Sequence, residues 1–218
     1  MSKRTAPENE KLDATNVGLL RMAYNLRQSL DLYRLVGLNA TDLNERSPQL
    51  WAHIQILCHE SIAVIICKMF ENRSRNDLNS IPCIIALINP DCSDHQKFLI
   101  QQFAEKFEVS GKWTDAREFL RQAFDVFRDR HLETLNNLRK FRDKFVAHSE
   151  FGAEIESLAS QDEFETLFDF AADFYRLVSD TLLNIGPALI GGPVGVQMFD
   201  LLKSIEVPDP KFKFPSDR

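Results

Sequence analysis

The stretch Leu138-Arg-Lys-Phe-Arg-Asp-Lys-Phe-Val-Ala-His-Ser-Glu150 closes a run, from Lys112 to Phe151, that holds neither Gly nor Pro. On a helix of about 100° per residue, Leu120, Phe124, Phe127, Leu135, Leu138, Phe141 and Phe145 share one broad apolar face. Arg142 lies within that face. Its guanidinium cannot be titrated away, so an apolar setting demands an anionic or hydrogen-bonding partner. His148 follows about two turns later.

The rest of the chain reads in the same period. A helix is predicted from about Val17 to Val36 with Gly37 as its stop, preceded by a polar, poorly ordered segment at 1–16 and followed by a loop from Leu38 to Arg46. Ser47-Pro48 carries a capping hydroxyl and a first-turn proline, and it opens a nearly all-apolar helix over Gln49–Glu71. A polar loop at Asn72–Ser80 leads to a short helix at Ile81–Ile88, ended by Asn89-Pro90. Ser93 or Asp94 caps a helix reaching about Glu108, closed by Gly111, and Thr114–Glu118 starts the long run, which is expected to bend near Arg130. After a loop at Phe151–Ser160, a helix covers Gln161–Asn184, and a final short one covers Gly195–Ile205. No strand pattern or repeat interrupts this order, so the fold class is all-α. The domain reading is a flexible segment at 1–16, one helical domain at 17–207 and a tail at 208–218.

Composition limits the function. The 218 residues, 44% hydrophobic and 27% charged with seventeen Phe, suit one globular domain with a substantial core. A net charge of −6 argues against a protein that coats nucleic acid, whose affinity needs many cations. Locally the balance reverses: from Arg128 to His148, six cations (Arg128, Arg130, Arg139, Lys140, Arg142, Lys144) face three anions (Asp129, Glu133, Asp143). No apolar run approaches the roughly 20 residues of a membrane span, and the N-terminus lacks a signal-peptide core, so no membrane association and a cytoplasmic location are expected. Cys58, Cys67, Cys83 and Cys92 show no CxxC pairing and read as reduced, partly buried thiols. Zinc held by Cys83, Cys92 and His95 is the sharper alternative, but their spacing matches no zinc pattern. Gly186, Pro187, Gly191, Gly192 and Pro193 form a hinge rather than a phosphate loop, since no Gly-Lys-Ser/Thr follows.

Arg142 and His148 are about 9 Å apart along an ideal helix axis and about 120° apart around it, too divergent to grip one phosphate from a single straight helix. A two-fold axis that pairs two copies pools both side chains in one cleft. There Arg142 holds the phosphate, and His148 exchanges protons with a ribose 2′-hydroxyl or a leaving 5′-oxygen without need of a metal. Asp143 orients a neighbouring cation, and Lys140 or Lys144 reaches flanking phosphates.

This pattern, Arg142-Asp-Lys-Phe-Val-Ala-His148, resembles the Arg-x(4–6)-His motif of the HEPN superfamily, and its context from Leu138 to Ser149 looks most like the AbiU-type abortive-infection branch. The resemblance implies a core of four or five helices plus short additional ones, a homodimer, and metal-independent endoribonuclease activity in phage defence or toxin–antitoxin systems, without a cofactor. It implies Arg142 and His148 as catalytic, Asp143, Lys144 and Ser149 as supporting, Arg139 and Lys140 as RNA-binding, and RNA and an antitoxin or regulatory protein as partners. Some members of the superfamily have lost activity, so a non-catalytic module that binds a nucleotide, RNA or protein is the alternative. In a purely structural account Arg142 pairs with Asp162, Glu163, Glu165 or Asp169 on the following helix, and His148 meets the helix dipole. A small-molecule enzyme built on His53 and His59 is a third reading and predicts a closed apolar cavity; the cheaper account of both is a polar flank of a buried helix. His131 reads as a core histidine.

Overall fold

A computed structural model describes residues 6–71, 79–147 and 159–186. Within them the chain forms eight α-helices: α1 (Ala6–Leu38), α2 (Ala40–Arg46), α3 (Pro48–Phe70), α4 (Ile81–Leu87), α5 (Asp94–Lys106), α6 (Ala116–Arg130), α7 (Leu132–Phe141) and α8 (Gln161–Leu177). Two π-helical turns, Arg142–Ala147 and Val178–Leu183, extend α7 and α8. No strand occurs among the described residues, and the all-α class holds. The expected loop at Asn72–Ser80 lies largely outside the described residues, as do the last hinge residues, the 195–205 helix and the 208–218 tail.

Helix α1, about 50 Å long at 1.5 Å per residue, packs along α3 and α8, and α3 also meets α7 and the first π turn. The apolar stripes of α6, α7 and α8 drive this packing: Leu120, Phe124, Phe127, Leu135, Leu138 and Phe141 are all buried against Phe164, Leu167, Phe170, Ala171 and Phe174. At the centre Phe127 stacks on Phe170 at 4.0 Å between ring centroids, with Phe70 and Phe107 against the same ring. Such ring pairs add about 0.5–1.5 kcal/mol to the area they bury.

Several boundaries differ from expectation. Helix α1 starts eleven residues early because Leu12, seven residues before Leu19, continues the same stripe into the core, and Asn16 donates a 2.8 Å bond to Ser179 Oγ. The expected loop after it is helix α2, which buries Leu43 against Leu35, Val36 and Trp51; seven residues are too few to show a period. Ser47 precedes α3, but its hydroxyl caps nothing, whereas Ser93 and Ser160 form full capping boxes with Gln96 and Glu163. Glu108, not Gly111, ends α5. It takes a left-handed φ of 63° while Val109 N–H returns to the Ala104 carbonyl and its side chain is buried. The long run does break where expected, at His131.

Helix α3 is long and apolar enough to cross a membrane by length and composition, contrary to the expectation that no segment comes near. Its Ile62, Ile66 and Phe70 are buried in the protein core, while Leu50, Ile56 and Leu57 are exposed.

Candidate functional site

Arg142 opens the first π turn with the αR backbone of a continuing helix (φ −53°, ψ −49°), which carries its side chain onto the end of α3. There Nη1 donates to Glu71 Oε1, and Nε donates to Asp143 Oδ1 at 2.9 Å. Nη2 makes no hydrogen bond among the described residues. Burial works against the guanidinium's charge, but the bonds to Glu71 and Asp143 more than reverse this and raise its pKa above the ordinary arginine value. The arginine is therefore permanently cationic, three-quarters buried (25% side-chain exposure), and held by two of its three nitrogens.

Glu71 has its own reason to accept this contact. It caps the C-terminal end of α3, where unpaired carbonyls already concentrate partial negative charge. A carboxylate at that end is unfavourable alone, and the guanidinium offsets both. Cys67, one turn earlier, is buried beside the same arginine, and burial pushes its thiol up to about 11 despite the nearby cations. It is inert as a nucleophile at neutral pH.

The other expected residues spread around the helix. Lys140 and Lys144 are exposed, with no ion pair among the described residues, and Arg139 is half-buried and bonded to Asn136 at 3.3 Å. Lys140 borders an open groove with Asn136, Asn137 and Glu133, on the solvent side of α7 rather than beside Arg142. Asp143 is brought directly onto the arginine; His148 and Ser149 lie outside the described residues.

The acids of the following helix are not the partners of Arg142 that the structural account named. Glu163 caps α8 and accepts from Thr134, and its carboxyl is held below the usual range by these bonds. Glu165 is buried against Arg27. The required anion comes from α3 instead, at a sequence distance that no periodicity reveals.

The histidines separate as well. His53 is exposed and His59 is buried, so they do not converge, and the cleft of about 360 Å³ between α1 and α3 is lined by other residues, among them Ser29, Leu57 and Ser61. His59, rather than His131, is the core histidine: its ring sits 4.5 Å from Phe141 and 5.5 Å from Phe164, its Nε2 has no hydrogen-bond partner among the described residues, and burial lowers its pKa. His131 is half-buried at the α6–α7 break, 4.6 Å from Phe127. Among the described residues no three His, Cys, Asp or Glu side chains gather as metal ligands.

One charged group went unread. Arg27 donates to Asp31 Oδ1 at 2.8 Å and to Glu165 Oε2 at 2.7 Å and Oε1 at 3.0 Å, and it lies 5.2 Å from the Phe168 ring, all in the core between α1 and α8. The signal was available. Arg27 interrupts the stripe of Ala23, Leu26 and Leu30 as Arg142 interrupts its own, and Asp31 stands one turn on.

Among known proteins, the family model described as AbiU2, of the HEPN group, matches residues 12–187, from the first turns of α1 past the end of the second π turn. No curated protein and no solved structure matches the chain. The matched span covers most of the sequence and every helix that surrounds Arg142: the chain belongs to the AbiU2 family of HEPN proteins.

Proposed function

We propose that this protein is a metal-independent endoribonuclease of the HEPN type, acting as a homodimer in phage defence or a toxin–antitoxin system. The observation that carries the reading is the state of Arg142. A family arginine is fixed by Nη1 and Nε and keeps Nη2, with two hydrogens, for a further acceptor. A scissile phosphate oxygen is such an acceptor, and a guanidinium already oriented stabilises charge that grows in the transition state without reorganising.

In this reading two copies meet about a two-fold axis. One His148 takes the proton from a ribose 2′-hydroxyl, the 2′-oxygen attacks phosphorus, and the partner's His148 protonates the departing 5′-oxygen, leaving a 2′,3′-cyclic phosphate. Lys140 and Lys144 meet neighbouring phosphates. No step calls on a metal. Incubating RNA with the wild type and with His148→Ala tests the proposal: cleavage by the first and its loss in the second is expected, and cleavage that is equal in both or absent from both refutes it.

A second reading has its own support. Two carboxylates on one guanidinium leave the immediate surroundings of Arg142 net negative. That disfavours a bound phosphate and supports the protein-binding form of the non-catalytic module; a wild type that neither binds nor cleaves RNA separates it from the first.

A further inference from the structure

We propose that Glu71 is the positioning residue of this site: it sets the direction of the Arg142 guanidinium and, through its charge, restrains how tightly the site holds a phosphate. The inference rests on the endoribonuclease reading of Arg142. Among the described residues Glu71 is the only acceptor for Nη1, and it comes from a different helix, 71 residues earlier in the chain. Asp143 is the arginine's sequence neighbour and moves with it, whereas Glu71 is anchored at the end of α3, next to the fully buried Phe70.

Two carboxylates and one guanidinium sum to −1 before any ligand arrives. A phosphate on Nη2 therefore meets an oriented donor and, within a few ångströms, a like charge. Glu71 is asked to do two separable things, to aim the donor through its oxygen and to weaken ground-state binding through its charge.

Glu71→Gln keeps the accepting oxygen and removes the charge; Glu71→Ala removes both. Since a small misplacement of a catalytic group costs up to about a hundredfold in rate, Glu71→Ala is expected to lower kcat at least about tenfold with KM changed less. Glu71→Gln is expected to restore kcat to within about threefold of the wild type and to lower KM. In a His148→Ala background, a single-stranded RNA oligonucleotide followed by fluorescence anisotropy is expected to bind several-fold more tightly to Glu71→Gln than to Glu71. Equal kcat values in the Ala and Gln variants, or wild-type values in both, overturn the inference. The Arg142 Nη1–H resonance, assigned with Arg142→Lys, gives a readout independent of turnover, since Nη1 is the nitrogen that donates to Glu71. It is expected to be protected from exchange in the wild type and in Glu71→Gln and lost in Glu71→Ala; protection in all three overturns the inference too. A wild type that cleaves no RNA removes the endoribonuclease reading, and the resonance still decides whether Glu71 aims the arginine.

Discussion

Replacing Arg27 with Met is the sharpest test of the core. Asp31 and Glu165 are 4% and 3% exposed, and each loses its cation in the variant. Removing one partner of a buried ionic group leaves charge without compensation and costs about 3–5 kcal/mol. At about 2–4 °C per kcal/mol for a chain of this size, Tm is expected to fall by about 6–20 °C. Urea unfolding followed through Trp51 and Trp113 supplies the free energy. The loss belongs to the stranded carboxylates rather than to packing, so Arg27→Met/Asp31→Leu/Glu165→Met, which empties the cluster of charge, is expected to return to within about 1 kcal/mol of the wild type.

The pH dependence gives a second check. Burial already holds the Asp31 carboxyl above the usual range in spite of Arg27. A carboxyl with a raised folded pKa binds more protons folded than unfolded, so acid favours the folded state over that window. Without Arg27 the Asp31 carboxyl loses the cation that draws it down, and the gap between variant and wild type is expected to narrow from pH 7 to pH 5. A variant within 0.5 kcal/mol of the wild type, or a gap that ignores pH, refutes this account.

Other expectations follow from single contacts. Burial holds His59 below the ordinary histidine value, so the unfolded chain takes up the proton first and stability is expected to fall as pH drops below about 6.5; urea titrations of His59→Leu should show a flatter slope there, and an unchanged slope argues against it. Ser93→Ala and Ser160→Ala each remove an N-cap and should lose about 1 kcal/mol by thermal unfolding, whereas Ser47→Ala, whose hydroxyl caps nothing, should stay within about 0.5 kcal/mol. Phe170→Ala empties the centre of the ring stack and should cost about 3–5 kcal/mol in chemical denaturation.

Helical periodicity was enough to find the elements that carry strong stripes. The apolar face from Leu120 to Phe141 is buried where the 100° rule puts it, and the bend near Arg130 is real because His131 leaves helical geometry. What failed were short or sparse signals: Leu12 alone marks the early start of α1, and Leu43 alone marks α2. At the candidate site the charge argument foresaw that Arg142 needs an anion, but it named the wrong helix. Periodicity ranks faces within one helix, and the pairing of Arg142 with Glu71 depends on how α7 lies across α3, a tertiary relation. The same argument, applied to Arg27, would have predicted a buried ionic group, with its i+4 neighbour Asp31 in plain view.

The arm that carries Arg142 has a mechanical character. It starts at the break at His131, is pinned near its base by the Thr134 bond to Glu163, and is pinned at its far end by the Arg142 bond to Glu71. Between those two bonds Leu135, Leu138 and Phe141 bind it to the core along one side, so it is a beam glued along its length rather than hung from its ends. A ligand that draws the guanidinium away from α3 loosens the tip beyond Phe141 and leaves the base at His131 where it is.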